Sequence, residues 1–313
     1  MTTTVPTPQG FWTTPLAGVI LMAGSCTVWG LSGLFYHQIQ NIPALEIFAH
    51  RTIWSVVLFI IILSVQRRLN VIPQTLRQPR LAALIALASL MISVNWVMFI
   101  WAIQERHALE ASLGYYIFPM IAVLFGAVIY GERPSRGQLG AIALAGAAIV
   151  VLTVGLGVAP WIALLLAVTF GIYGAIKKSI SIGPVASVTI EVVMILPFAL
   201  LLLWYLGWGS FGRNLHDTVF LILSGGMTAI PLLMMSAATR RVSLTTIGLV
   251  QYLNPSLQFL VATLVLAEPF TTAHGIAFPL IWAALVIYTI ASWRQDRAAR
   301  RVSRAASASG TTV

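Results

Sequence analysis

Apolar residues in this 313-residue chain fall into long runs, and short polar connections separate one run from the next. An α-helix needs about 20 apolar residues to cross roughly 30 Å of hydrocarbon. The runs therefore predict ten membrane-spanning helices, with prolines in or beside most of the connections. The predicted spans are 16–38, 45–65, 81–103, 109–130, 136–154, 159–177, 186–207, 216–238, 244–266 and 273–293.

Two stretches of the chain repeat each other at a constant offset of 136 residues. The matched residues are Tyr116, Pro119 and Glu132 in the first half, and Tyr252, Pro255 and Glu268 in the second. Each half holds five predicted helices, an odd number, so the second half crosses the membrane in the opposite direction. The predicted fold class is an all-α polytopic membrane protein of two inverted five-helix repeats, an architecture typical of secondary transporters. Pores and membrane enzymes also use inverted repeats.

Lys and Arg are distributed unevenly over the predicted connections. With a cytoplasmic N-terminus, fifteen of the 18 fall in inside segments, two fall in outside loops, and Arg51 lies within a helix. The inside set is Arg67, Arg68, Arg77, Arg80, Arg133, Arg136, Lys177, Lys178, Arg240, Arg241, Arg294, Arg297, Arg300, Arg301 and Arg304, and the outside pair is Arg106 and Arg213. The positive-inside rule then predicts that both termini are cytoplasmic. The net charge of +10 is expected to face anionic inner-leaflet lipid and not nucleic acid.

These features predict four segments. They are a cytoplasmic N-terminal tail at 1–15, a first five-helix repeat at 16–154, a second, inverted five-helix repeat at 159–293 and a basic cytoplasmic tail at 294–313. If the last segment is helical, four of its arginines share one face suited to a lipid surface. The alternative is a loose tail that only helps to set the orientation.

The composition excludes a water-soluble protein, because 59% of the residues are hydrophobic and 8% are charged. The mean hydropathy is +0.92. The sequence has no Gly-rich phosphate loop followed by Lys-Ser/Thr, no His-Glu-x-x-His and no Cys/His cluster. We therefore predict no catalytic residues, no metal and no cofactor. The single cysteine, Cys26, rules out an internal disulfide.

Ionisable side chains within membrane spans are costly, so each is a candidate for function. Arg51 could bind a carboxylate or phosphate of a substrate, or it could pair with Glu46 and tie its helix to a neighbour. Glu191 is a carboxylate inside a predicted span of the second half, 186–207. It is the candidate for proton coupling, because a buried carboxylate that lacks a partner has a raised pKa. The alternative is a bond from Glu191 to Lys177, Lys178 or the backbone.

Polar and aromatic side chains near the expected midplane form the second group of candidates. Asn95 is expected to bond across helices, and the aromatic residues around it offer either a substrate surface or ordinary packing. Pro119 and Pro255 are expected to break their helices, and the freed backbone would line a cavity. The substrate-binding candidates are Asn95, Trp96, Phe99, Tyr115, Tyr116, Gln251, Tyr252, Asn254 and Arg51. Glu132 and Glu268 are interpreted as turn residues at helix ends.

Several short runs resemble the drug/metabolite transporter superfamily with paired EamA-type domains, and within it the RarD-type permeases. In the first half the runs are His50-Arg51-x-Ile53-Trp54-Ser55, Asn95-Trp96, Phe99-Ile100-Trp101-Ala102 and Leu109-Glu110-Ala111-Ser112-Leu113-Gly114-Tyr115. In the second they are Ile190-Glu191, Ile230-Pro231-Leu232, Ala237-Ala238-Thr239-Arg240 and Gln251-Tyr252-x-x-Pro255. The resemblance covers nearly the whole chain outside its two tails. One departure is Ala267-Glu268, where the first half has Gly131-Glu132.

The resemblance implies a bacterial inner-membrane permease whose family is linked by name to chloramphenicol sensitivity. Relatives in the wider superfamily export amino acids, metabolites and drugs. Our leading hypothesis is a secondary transporter that exports small amphipathic molecules, with possible proton antiport through Glu191. A passive facilitator or an importer of the same solutes is the alternative, followed by an intramembrane lipid-handling enzyme. The expected partners are a small-molecule substrate and the lipid bilayer.

Overall fold

The computed structural model describes the backbone of residues 14–242 and 244–308, and in these residues all regular elements are helical. One π-helical segment, Val261–Val265, follows α13. The α-helices are α1 Pro15–Gly30, α2 Ser32–His37, α3 Ala44–Val65, α4 Val71–Leu76, α5 Pro79–Gln104, α6 Ala108–Tyr130, α7 Arg136–Leu156, α8 Trp161–Lys178, α9 Pro184–Tyr205, α10 Leu215–Ser224, α11 Gly226–Thr239, α12 Leu244–Gln251, α13 Leu253–Leu260 and α14 Thr272–Ala308.

The prediction of an all-α polytopic membrane protein is confirmed. Within the described residues, nine helical spans are long and apolar enough to cross a membrane. Each begins and ends within two residues of the predicted span, because apolar length and flanking prolines determine both ends. The first span joins α1 to α2, and the eighth joins α10 to α11. The predicted span 244–266 is the exception, since α12, α13 and the π-helical segment divide it.

The two central prolines behave differently from each other. Pro119 lies inside α6, which continues from Ala108 to Tyr130, so the predicted helix break at this residue is wrong. Pro255 is the third residue of α13, and the helical segment is interrupted just before it, at Tyr252. A proline ring clashes with the carbonyl four residues earlier, and in the first turn its missing N–H needs no partner. The interruption at Tyr252 follows from this placement.

The chain folds into two compact units. Unit 1 contains residues up to Ser89 together with Ser181–Gln258. In it α3 packs against α9, α10 and α11, while α1 packs against α11 and α12. Gly30 allows α1 to approach α13 closely, because a Cβ atom there would lie 2.6 Å from Leu257 Cβ. Small residues at helix contacts are typical of packing in membranes, where close backbone approach replaces the hydrophobic effect.

Unit 2 contains Leu90–Ile180 and the residues from Phe259 onward. Its main contacts join α7 to α14 and α6 to α8. α7 begins with a capping box, in which the Ser135 hydroxyl accepts from the Gln138 N–H and the Gln138 side chain accepts from the Ser135 N–H. The α7–α14 contact is close, since a Cβ atom at Gly155 would lie 2.4 Å from Ala273 Cβ.

The sequence repeat has a counterpart in the backbone. The Glu132 N–H donates to the Gly126 carbonyl, and the Glu268 N–H donates to the Ala262 carbonyl, 136 positions later in both donor and acceptor. Corresponding predicted spans of the two halves also pack together, the second of each half as α3 with α9 and the fifth of each half as α7 with α14. These pairings support the repeat, while the domain boundaries at 16–154 and 159–293 stay a prediction.

The predicted tails are described only in part. α14 continues to Ala308, so the backbone of the basic tail is helical as far as that residue, which favours the helical alternative over a loose tail. Arg297 lies over the Trp293 ring at 4.4 Å from its centroid. Most of the predicted N-terminal tail lies outside the described residues, which begin at Thr14.

We predict that Gly155→Ala destabilises the protein by about 1–3 kcal/mol, because the added methyl group overpacks the contact between α7 and α14. Gly146→Ala in the same helix is the matched control, since a Cβ atom there has no neighbour within 4 Å. Ala is the better helix former, so this control is expected to be neutral or to stabilise by up to about 1 kcal/mol. Thermal unfolding of the purified variants in lipid nanodiscs measures the difference. Equal effects of the two changes would contradict the close contact.

Candidate functional site

Arg51 is a buried guanidinium that joins three helices of unit 1. It lies on α3 with 4% of its surface exposed. Its Nε donates to Thr228 Oγ1 on α11 at 2.8 Å, and its Nη1 donates to the Tyr36 hydroxyl on α2 at 3.0 Å. The predicted alternative partner, Glu46, accepts from the Ser210 N–H. The structure therefore places a positive charge among neutral hydroxyl groups inside a membrane span.

Glu191 is buried on α9, with 1% of its surface exposed. The Ser187 hydroxyl, one turn earlier, donates to its carboxylate Oε1 at 2.9 Å. The Ser89 hydroxyl donates to its backbone carbonyl at 2.7 Å, which connects α9 to α5. Lys178, one of the partners predicted in the alternative interpretation, forms its ion pair with Glu132. Glu191 is thus a buried carboxylate held by a serine hydroxyl.

Asn95 is the centre of a hydrogen-bond network in unit 2. From α5 its amide Nδ2 donates to the Leu166 carbonyl at 2.9 Å and to Thr169 Oγ1 at 3.0 Å, both on α8. Its Oδ1 accepts from the Tyr115 hydroxyl on α6 at 2.8 Å. The prediction that Asn95 bonds across helices is confirmed. Both N–H groups of the amide and its oxygen have partners, so Asn95 positions its neighbours.

Aromatic side chains surround this network. The Tyr115 ring meets Phe99 and Phe170 edge to face, each at a centroid distance of 5.8 Å. Phe170 continues the cluster to Phe118 at 4.7 Å and to Tyr173 at 5.9 Å. Phe99 is buried, whereas Tyr115 keeps part of its surface exposed. Unit 2 therefore presents an aromatic surface whose central ring is oriented by Asn95.

Two further aromatic candidates belong to unit 2. Tyr116 is buried, and its ring meets Phe278 of α14 edge to face at 6.2 Å. Trp96 lies on α5 beside Asn95 with part of its surface exposed. Tyr116 thus contributes to packing between α6 and α14, while Trp96 adds exposed aromatic surface.

The interrupted segment of unit 1 carries the remaining candidates. Gln251 ends α12, Tyr252 lies at the interruption, and Asn254 lies in the first turn of α13, all three partly exposed. The Gln258 amide donates to Asn254 Oδ1 at 3.0 Å, and its own oxygen is buried with no hydrogen-bond partner. The Cys26 thiol of α1 hydrogen-bonds the Asn254 backbone. Polar side chains are therefore concentrated at this interruption.

Glu268 caps the N-terminus of α6 from a distant part of the sequence. Its two carboxylate oxygens accept from the Ala108 N–H at 2.7 Å and the Leu109 N–H at 2.8 Å. These N–H groups have no partner within the helix, and the helix dipole favours a negative charge there. Burial raises the pKa of the Glu268 carboxyl, while the two backbone bonds, followed by His107 and Arg106, lower it in part.

The counterpart of Glu268 has a different environment. The Glu132 side chain is 49% exposed and pairs with Lys178. The backbone turns are alike, because Gly131 has φ +66° and Ala267 has φ +49°. A left-handed backbone costs an alanine about 1 kcal/mol more than a glycine, so the turn at Ala267 has the same shape at a higher conformational free energy. The two repeats thus share the turn and differ in what the carboxylate binds.

The predicted candidates are divided between the units. Unit 1 holds Arg51, Glu191, Gln251, Tyr252 and Asn254, and unit 2 holds Asn95, Trp96, Phe99, Tyr115 and Tyr116. Within unit 2 the structure brings Asn95, Phe99 and Tyr115 together.

The hydroxyl partners of Arg51, together with Thr169 and Gln258, were missed by the sequence analysis. Each of them is a polar side chain within an apolar run of the sequence. This pattern alone does not identify a contact between helices, because serine and threonine also bond to carbonyl groups of their own helix. In the described part of the chain, no group of three or more His, Cys, Asp or Glu side chains could hold a metal ion.

Comparisons with known proteins agree with this architecture. Residues 16–154 match the EamA-like transporter family. The chain is 39% identical to "Protein RarD" of Streptomyces exfoliatus, covering 95% of this chain and 94% of that protein. It is 38% identical to "Uncharacterized transporter YojE" of Bacillus subtilis (strain 168), covering 90% and 97%. A solved crystal structure shares the fold at a TM-score of 0.58 with 18% identity, covering 90% of this chain and 99% of that one.

The apolar spans and these relatives define a multi-pass membrane transporter. The chain belongs to the EamA-like transporter family, and within it to the RarD-type permeases.

We predict that Glu268→Ala destabilises the protein by about 1–3 kcal/mol, because it leaves two buried N–H groups of α6 without acceptors. Glu132→Ala, at the equivalent position of the first repeat, is the matched control. Its ion pair is exposed, so a change of less than about 1 kcal/mol is expected. Thermal unfolding and hydrogen exchange at the N-terminus of α6 provide the measurement. The capping role would be wrong if the two variants unfolded alike.

Proposed function

We propose that this protein is a secondary transporter of the bacterial cytoplasmic (inner) membrane that exports small amphipathic metabolites by proton antiport. Amino acids are the first solutes to test, followed by drugs such as chloramphenicol, to which the family resemblance points by name. Both termini face the cytoplasm, where the basic inner connections and tail lie against anionic lipid.

The interruption at Tyr252 is the observation that carries the proposal. Irregular backbone at membrane depth is stable only where it is buried in protein or lines a polar cavity. Transporters with inverted repeats place such interrupted helices at their substrate sites. The amides of Asn254 and Gln258 lie directly after this interruption and supply hydrogen-bonding groups for a solute.

The other candidates receive roles that their contacts support. The Tyr115 ring, oriented by Asn95, offers apolar surface to an amphipathic solute. Arg51 carries a buried positive charge that attracts a carboxylate. Glu191 is the residue to which we assign proton coupling, as a buried carboxylate whose Oε1 accepts from the Ser187 hydroxyl.

We predict that Glu191→Gln abolishes coupling to a proton gradient. With one proton exchanged per solute, a gradient of one pH unit supports about a tenfold solute concentration ratio. Proteoliposomes with the unchanged protein should approach this ratio for a labelled amino acid, and the variant should only equilibrate it. Glu132→Gln makes the same chemical change at an exposed carboxylate and is the control.

Two results would contradict antiport. If the transport of every tested solute is independent of the pH gradient, the result favours a passive facilitator. Gradient-driven accumulation by Glu191→Gln equal to that of the unchanged protein would remove Glu191 from the coupling step.

We predict that Arg51→Gln reduces transport of anionic solutes at least about tenfold more than transport of neutral ones, because it removes a buried positive charge. Arg51→Lys, which keeps the charge but loses the planar fork, should preserve this selectivity. Competition by matched anionic and neutral solutes in proteoliposomes measures the ratio of anionic to neutral transport. Equal losses for both solute classes in Arg51→Gln would show that the side chain only holds α2, α3 and α11 together.

A further inference from the structure

One face of α3 is covered by the connection between α9 and α10. Glu46, His50 and Trp54 are spaced four residues apart and therefore share this face. The Phe211 ring of the connection stacks on the His50 ring at a centroid distance of 5.0 Å and lies 6.2 Å from the Trp54 ring. The Glu46 carboxylate accepts from the Ser210 N–H of the same connection. All of these residues belong to unit 1.

The backbone of this connection is tightly wound. Gly207, Trp208, Gly209 and Gly212 have φ values of +61°, +62°, +57° and +80°. Gly209 is required for a second reason, because a Cβ atom there would lie 2.2 Å from the carboxyl carbon of Glu46. A bulky residue such as Trp208 in the left-handed region is strained, and such strain persists only where the surroundings hold it. The connection is therefore held in one conformation against α3.

The hydrogen-bonding roles of the two His50 ring nitrogens follow from its contacts. The imidazole hydrogen-bonds the backbone of Trp208, and the Trp208 N–H is already donated to the Leu203 carbonyl at 2.8 Å. The partner of the ring is therefore the Trp208 carbonyl, which needs a donor. Because Nε2 has no hydrogen-bond partner, the donor is Nδ1. A neutral imidazole that donates from Nδ1 keeps an acceptor lone pair on Nε2.

Trp54 supplies the complementary group. Its indole Nε1–H can only donate, and it is buried without a partner. His50 is 2% exposed, so its Nε2 is also shielded from solvent. A buried polar atom without a hydrogen-bond partner destabilises the folded protein, so each of these two atoms favours a bound partner. One acceptor and one donor, both beside the Phe211 ring, match a group that donates and accepts at once.

We propose that His50 Nε2 and Trp54 Nε1 form a subsite for the hydroxyl group of a transported solute, covered by Phe211. The hydroxyl donates its proton to His50 and accepts from Trp54, while the apolar part of the solute contacts the aromatic rings. This assignment rests on the proposed transport function and adds hydroxylated amphipathic molecules as the substrate class. It also gives a role to the wound connection, which holds the Phe211 ring against the rings of His50 and Trp54.

Matched solutes that differ by one hydroxyl group test the subsite. Threonine with valine and tyrosine with phenylalanine are the two pairs, each measured by proteoliposome transport and by thermal stabilisation of the purified protein. The hydroxylated member should be favoured by about 3- to 10-fold in each pair, the worth of one or two neutral hydrogen bonds. Nitrogen-15 NMR of labelled histidine, with the His50 signal assigned by its loss in His50→Asn, should show Nε2 changing only with the hydroxylated member.

Two variants remove the groups one at a time. Trp54→Phe removes the indole N–H and keeps an aromatic ring, and His50→Asn keeps a donor near the Trp208 carbonyl while removing the Nε2 acceptor. In each variant, the ratio of the effect of the hydroxylated solute to that of its partner should be close to one. Trp161→Phe, the same chemical change at an exposed residue of unit 2, should leave the preference intact.

The outcomes separate the subsite from the transport function. Transport without any preference within either pair, or a preference that survives both variants, would overturn the subsite alone. A His50 signal that is unchanged by every solute would indicate a bond to water only and would also overturn it. Hydroxyl-dependent stabilisation and NMR changes without transport would support the subsite and overturn the proposed function. No transport and no hydroxyl-dependent binding would overturn both.

Discussion

In hydrocarbon, a polar group must find its hydrogen-bond partner inside the protein, and this requirement explains most of the specific contacts in the chain. Asn95 uses both N–H groups and its oxygen to join α5, α6 and α8. Arg51 uses two hydroxyl groups to join α2, α3 and α11. Small residues bring the helices close enough for such bonds, and the bonds in turn select one arrangement among many apolar ones.

The same requirement shows where the two repeats differ. Glu268 gives both carboxylate oxygens to the first N–H groups of α6, whereas Glu132 is exposed and paired with Lys178. The turns that carry the two residues have equivalent backbone hydrogen bonds, and a residue with a left-handed backbone precedes each carboxylate. The same local motif therefore has different partners in its two copies.

The sequence was sufficient for features that depend on local composition. Nine spans were predicted within two residues at each end, because an apolar run of the right length has few alternatives to a helix. The bond from Asn95 across helices was also predictable, since an amide at that depth needs a partner. Pro119 was misjudged because a proline does not always interrupt a helix, as α6 shows. The cap from Glu268 to Ala108 joins residues 160 positions apart, and no local pattern encodes it. The burial of His50 Nε2 and Trp54 Nε1 without hydrogen-bond partners likewise depends on how a distant connection folds over α3.

We propose that water and solute reach the interrupted helix at Tyr252, and the reactivity of introduced thiols measures this access. In a Cys26→Ala background, single cysteines would replace Asn254, just after the interruption, and Leu249, which is 50% exposed on the preceding helix. Because the thiolate is the reactive form, a small water-soluble methanethiosulfonate modifies only cysteines that water reaches. Our account predicts that the cysteine at 254 reacts at least about tenfold faster than the one at 249 in intact membranes. Equal or slower modification at 254 would contradict a polar path at the interruption.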